Sequence, residues 1–111
     1  MRMKYVRVAA TGQLPANTKI PVVVNGKEVL LTNVDGSYYA IANKCTHAGG
    51  SLARGVLEGG IVICPNHGAR FDVKTGKAVG EIKIGFGKIK TEDTECYTVK
   101  VEGTDILVGI P

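Results

Sequence analysis

Tryptophan is absent from this 111-residue chain, histidine occurs twice, and aromatics make up only 5%. The core must therefore come from Val, Ile, Leu and Ala. Few aromatics also argue against a nucleic-acid platform, which pairs a basic stripe with stacking rings. The net charge of +4 is modest, and Lys and Arg are scattered from Arg2 to Lys100 with carboxylates between them. Such a charge tunes encounter rates with an acidic partner. No long apolar run is present. The greasiest stretch, "IPVVVNGKEVLLTNV", is cut by Asn25, Gly26, Lys27 and Glu28, which excludes membrane insertion by a helix. "MRMKYVRVAA" lacks the apolar segment of a secretory signal. Three cysteines cannot make a complete disulfide framework. The expectation is a soluble, cytoplasmic protein.

Apolar residues at 44% and charged ones at 22% suit a single globular domain over residues 1–111. With fifteen glycines against four prolines, its turns are glycine-built. The apolar pattern is short and often interrupted, which favours strands over helices. "KYVRVAA" alternates, and "IPVVV" and "EVLLT" flank Asn25-Gly26, a strong hairpin signal because both residues accept positive φ. Asp35-Gly36 is a second turn, followed by a strand over residues 38–42. "CYTVKVEGTDILVGI" reads as two strands joined at Glu102-Gly103-Thr104. Between these groups lies a glycine-rich middle, about residues 43–80, that contains "GIVIC" and "ARFDVKTGKAVG". In "GEIKIGFGKIKTEDTE", Ile82, Ile84, Phe86 and Ile89 suit a strand that three glycines weaken. The fold class is all-β.

Both histidines lie within three positions of a cysteine, in "NKCTHAGG" (Cys45, His47) and "ICPNHGAR" (Cys64, His67). A nucleophilic cysteine needs one thiol and one base, and here the pair is duplicated. Two thiolates and two imidazoles instead make a four-ligand set for zinc or for an iron–sulfur centre. Structural zinc sites usually group like ligands, as C-x-x-C with H-x-x-x-H. This chain gives C-x-H and C-x-x-H, one of each type per loop. In a two-iron centre, Cys45 and Cys64 would take one iron, His47 and His67 the other. The third cysteine, Cys96, has no histidine near it in sequence and is expected to be an unligated packing residue.

"CTHAGGSL" followed by "CPNHGARFDVKTGKAVG" resembles the signature of Rieske-type 2Fe-2S proteins, most of all the soluble low-potential Rieske-type ferredoxins. The likeness is strong over residues 38–80 and looser beyond. It implies an antiparallel β-sandwich with an inserted cluster-binding subdomain. It also implies one 2Fe-2S cluster, with Cys45 and Cys64 on the inner iron and His47 and His67 on the outer one. Two neutral ligands in place of two thiolates leave the centre uncharged when oxidised, so it accepts an electron more readily than an all-cysteine centre. The function implied is one-electron transport between a reductase and an oxygenase or other acceptor. Two alternatives remain: a Rieske-like small subunit of a larger oxidoreductase complex, and a zinc-binding structural module.

Departures from the high-potential members of this family carry information. Their pattern, C-T-H-L-G-C with C-P-C-H-G-S-x-Y, has two extra cysteines where this chain has Gly50 and Asn66. Its serine and tyrosine donate hydrogen bonds to the cluster, and here those positions are Ala69 and Phe71, which have no donor. Both differences predict a low potential. Many relatives also have a proline-containing loop over the cluster, whereas no proline lies between Pro65 and Pro111. Oxygenase subunits need a second iron site with two further histidines, and none exists in this chain. Backbone amides at Gly49, Gly50 and Gly68 are expected to serve the sulfides. Thr46 and Pro65 should shape the ligand loops. Lys44 and Arg70 should be solvated surface charges, and Asp72 should close a turn with Thr75 and Gly76.

Overall fold

A computed structural model describes residues 4–44, 51–65, 68–79, 81–84, 87–90 and 92–110. Strands follow one another almost without helix: β1 (Lys4–Ala10), β2 (Thr18–Val24), β3 (Lys27–Val34), β4 (Ser37–Ala42), β5 (Val56–Glu58), β6 (Ile61–Ile63), β7 (Arg70–Asp72), β8 (Glu81–Ile84), β9 (Gly87–Lys90), β10 (Cys96–Glu102) and β11 (Asp105–Ile110). Short 3-10 turns occupy Thr11–Gln13 and Leu52–Arg54. Every strand pairing is antiparallel, as the all-β expectation requires. No helix among the described residues is long and apolar enough to cross a membrane.

Six strands form one sheet in the order β1-β11-β10-β4-β3-β2. It folds over itself at β10. The first two residues of that strand, Cys96 and Tyr97, pair with β4, whereas Thr98 to Glu102 pair with β11. A strand that changes partners in this way makes the corner of a sandwich. Ala9, Ile106, Val108 and Ile110 from one half then pack with Val24, Val29, Leu31 and Ala40 from the other. Two-residue turns set the register: Asn25-Gly26 has φ of 50° and 78°, and Asp35-Gly36 has 51° and 92°. Successive positive φ values match the twist of the strands they join.

The middle of the chain builds a separate three-stranded sheet, β5-β6-β7. Its inner face presents Val62 and Phe71, which pack on Leu30, Val34 and Ile41. Strand β3 therefore buries both faces: Val29 and Leu31 point into one cluster, Leu30 and Val34 into the other. This explains the unbroken "VLLTNV", since alternation vanishes where both faces are covered. The aromatic-poor sequence still places two rings inside, because Phe71 and Tyr97 are both buried.

Strands β8 and β9 form a hairpin of their own, with Ile82 opposite Ile89 and Lys83 opposite Lys88. The segment expected as one strand is thus two. Gly80, Gly85 and Phe86 lie outside the described residues.

Gly76 joins the small sheet to the segment entering β10. Its φ is +77°, its N–H donates to the Asp72 carbonyl at 2.7 Å, and its own carbonyl accepts the Thr94 N–H at 2.8 Å. A Cβ there would collide with the Thr94 carbonyl. Gly76→Ala is expected to cost about 2–3 kcal/mol, from left-handed strain and displaced backbone. That corresponds to a melting temperature lower by roughly 10 °C in a chain of this size. Gly12→Ala, where nothing stands within 4 Å, is the matched control for circular-dichroism melts.

Candidate metal centre

Cys64 directly follows β6 and is 1% exposed. Its N–H donates to the Ala69 carbonyl at 2.7 Å, and the Gly68 N–H donates to the Cys64 carbonyl at 3.1 Å. These bonds clamp the two ends of a loop over residues 64–69, continuing the β6–β7 ladder past the Ile63–Arg70 pair. Cys64, Ala69 and Phe71 belong to one apolar cluster with Leu52, Val62 and Val73. The cysteine is thus held in a rigid, water-poor corner by strands on either side.

The other expected loop leaves β4 and returns at the Leu52–Arg54 turn. Leu52, fully buried, belongs to the cluster that contains Cys64, so packing brings the stems of both loops together. Asn43 bridges the first stem. Its Oδ1 accepts the Ala53 N–H at 2.8 Å and its Nδ2 donates to Ser51 Oγ at 2.9 Å. Cys45, Thr46, His47, Gly49, Gly50, Asn66 and His67 lie outside the described residues. Of the four expected ligands, the structure therefore places Cys64. Among the described residues, no group of three or more His, Cys, Asp or Glu gathers to hold a metal.

Several expectations about neighbouring residues can be compared with the geometry. Asp72 closes a turn: its carbonyl accepts the Thr75 and Gly76 N–H groups, and its carboxylate accepts the Lys74 N–H at 2.9 Å. Lys44 and Arg70 are exposed. Pro65, beside Cys64, is exposed as well. The Gly68 amide is engaged with the Cys64 carbonyl rather than directed solely to a sulfide, and its φ of +73° shows that the turn requires glycine.

Cys96 is a correction. It is exposed rather than packed in the core, because β10 alternates and Tyr97 takes the inward position. Its Sγ lies 3.4 Å from the Lys74 carbonyl. Partial burial of the thiol, and secondarily the charge of Asp72, raise its pKa above the ordinary 9.0. The group stays a thiol at neutral pH.

Tyr97 shows how the buried wall responds to pH. Burial first, and then the hydrogen bond to Glu95 (2.8 Å) and that carboxylate's charge, push its pKa from 10.0 up to about 12. The fold favours the neutral phenol. Its stabilising contribution is complete below about pH 10 and is lost as pH rises through about 12. An alkaline titration at the tyrosinate band should show one late component, absent from Tyr97→Phe. A wild-type curve with no late component would refute this.

Comparison with known proteins agrees with this picture. Residues 4–84 match the model of the Rieske [2Fe-2S] domain. The ferredoxin component of the naphthalene 1,2-dioxygenase/salicylate 5-hydroxylase systems from Ralstonia is 36% identical over 108 residues, covering 97% of each chain. The solved ferredoxin of carbazole 1,9a-dioxygenase from Nocardioides aromaticivorans superposes with a TM-score of 0.82 at 36% identity, over 95% of this chain and 96% of that one. A chain of the solved complex of reduced oxygenase and oxidized ferredoxin in carbazole 1,9a-dioxygenase matches with a TM-score of 0.80 at 26% identity, over 94% and 91%.

The chain belongs to the Rieske [2Fe-2S] domain family. Its cofactor is accordingly a Rieske-type 2Fe-2S cluster. The residues fit that group: the sequence supplies two thiols and two imidazoles in two loops. Cys64 sits in an apolar corner where an ionised sulfur needs a cation beside it. Sequence inspection missed Asn43, because an asparagine before a loop has no distinguishing pattern.

Proposed function

We propose that this protein is a ferredoxin that carries one electron at a time from a reductase to an oxygenase. The observation that carries the proposal is near-complete mutual coverage with a ferredoxin component, 97% of each chain. Relatives of this length are named as ferredoxins or ferredoxin components of dioxygenase systems. The solved oxygenase–ferredoxin complex supports a docking partner of that class. The bound cluster supplies reversible one-electron chemistry. This chain's residues hold it, keep water from one side and set its potential.

In this reading Cys45 and Cys64 ligate the inner iron and His47 and His67 the outer one, within a single domain over 1–111 whose cluster-binding part spans about 43–80. The buried position of Cys64 supports the inner assignment. Ala69 and Phe71 offer no side-chain donor, which supports a potential near the lower end of the Rieske span of about −150 to +300 mV. A cytoplasmic site of action fits the odd cysteine count and the exposed thiol of Cys96.

The proposal is tested by stopped-flow spectroscopy with NADH and the purified reductase and oxygenase components of a naphthalene dioxygenase system. Rapid bleaching by the reductase, then recovery of colour on adding oxidised oxygenase, is expected. A cluster that the reductase reduces but the oxygenase cannot reoxidise would point to a different acceptor.

A further inference from the structure

Asn43 sits two residues before the expected ligand Cys45, and its side chain is 4% exposed. Its backbone is fixed to β3, because its N–H donates to the Glu28 carbonyl at 3.0 Å. Its carboxamide is satisfied at both ends by the limb that returns from the loop. The Ala53 N–H donates to Oδ1, and Nδ2 donates to Ser51 Oγ. One side chain therefore ties together the two ends of the loop that carries Cys45 and His47.

The returning limb is itself held on two further sides. Leu52, between the two residues that Asn43 binds, is fully buried with Cys64, Ala69 and Phe71. The Ala53 carbonyl accepts the Lys19 ammonium of β2 at 2.6 Å. The limb is fixed against the second loop by packing, against β2 by Lys19, and against β4 by Asn43. An amide suits the last task because it offers an acceptor and a donor together. Asn43 is buried while Ser51 and Ala53 are partly exposed, so removing the carboxamide costs the two bonds and the tie they make between the limbs.

From this closed arrangement we infer that Asn43 is a positioning residue for the cluster: it fixes the two ends of the segment that carries Cys45 and His47 beside the wall that holds Cys64. The inference rests on the ligand assignment proposed above. Asn43 touches no iron and acts through the loop it closes. Ser51 is its weaker partner, since it completes one of the two bonds.

The test uses holoprotein. Cluster release into excess chelator is followed by the loss of visible absorbance, together with the line shape of the dithionite-reduced electron paramagnetic resonance spectrum. Asn43→Ala, which breaks both bonds, should speed release roughly tenfold or more, with Ser51→Ala intermediate. Resonance lines should broaden in the same order as the ligand loop samples more positions. Asn43→Asp should rescue the release rate to within about threefold of wild type, because the carboxylate still accepts the Ala53 N–H and the Ser51 hydroxyl can turn to donate.

Wild-type release and an unchanged line shape in Asn43→Ala would overturn the inference. So would acceleration no greater than the variant's rate of global unfolding. If Asn43→Ala does not assemble, Ser51→Ala decides: wild-type release and line shape in that variant overturn the inference. A wild-type protein that never holds iron and sulfide would instead refute the ligand assignment itself, which is a distinguishable result.

Discussion

Cys64→Ala is expected to purify without visible colour while its six-stranded sheet stays folded. Cys64 lies in the cluster with Leu52, Ala69 and Phe71, whereas the sandwich core is a separate cluster drawn from the six strands. The cluster borders that sheet at Leu30, Val34 and Ile41, but removing one sulfur leaves a cavity costing only on the order of 1–2 kcal/mol, too little to unfold it. Loss of a thiolate ligand is a far larger matter, since even a single structural zinc ion held by such ligands binds with an energy of order 10 kcal/mol. The readout is paired: absent charge-transfer absorbance, with near-native far-ultraviolet dichroism. Cys96→Ala provides the contrast. Its thiol lies on the exposed face of β10 against the Lys74 carbonyl, so its spectrum should match wild type. A coloured Cys64→Ala protein would require another inner ligand.

A second large effect is expected on potential. Ala69 directly precedes β7 and Phe71 lies within it, and both are buried in the cluster with Cys64. Ala69→Ser and Phe71→Tyr each place a hydroxyl where this chain has none. A hydrogen bond to a charged acceptor contributes about 1.5–3 kcal/mol. For a one-electron couple, where 59 mV is a tenfold change, that is a rise of about 60–130 mV per donor. The double variant should approach the sum. Protein-film voltammetry reads the shift directly, starting from a wild-type midpoint below zero. A wild-type value well above about +100 mV, or no rise in either variant, would show that missing donors do not set the potential.

Much of this molecule is legible in its sequence where local chemistry decides the outcome. Asn25-Gly26 and Asp35-Gly36 form turns because their residues tolerate positive φ, and the strands on either side follow. The four ligands proposed above stand out in the sequence because their residue types are rare and paired. Longer-range facts are not. Nothing local in "VLLTNV" says that two different cores meet at β3, one on each face. The exposure of Cys96 depends on Tyr97 taking the inward position at the point where β10 changes partners. The glycine-rich segment over residues 81–90 resists one-strand assignment because it reverses direction, pairing Ile82 with Ile89. Asn43 is the clearest case: only the folded chain brings Ser51 and Ala53 to its carboxamide.

The most direct measurement is pulsed electron paramagnetic resonance on dithionite-reduced protein expressed with nitrogen-15-labelled histidine. With His47 and His67 both on one iron, the spectrum should show strong couplings from two imidazole nitrogens, each changed by the label, and one set lost in either His→Cys variant. A paramagnetic cluster without histidine nitrogen coupling, or a colourless protein with stoichiometric zinc and no acid-labile sulfide, would contradict the account.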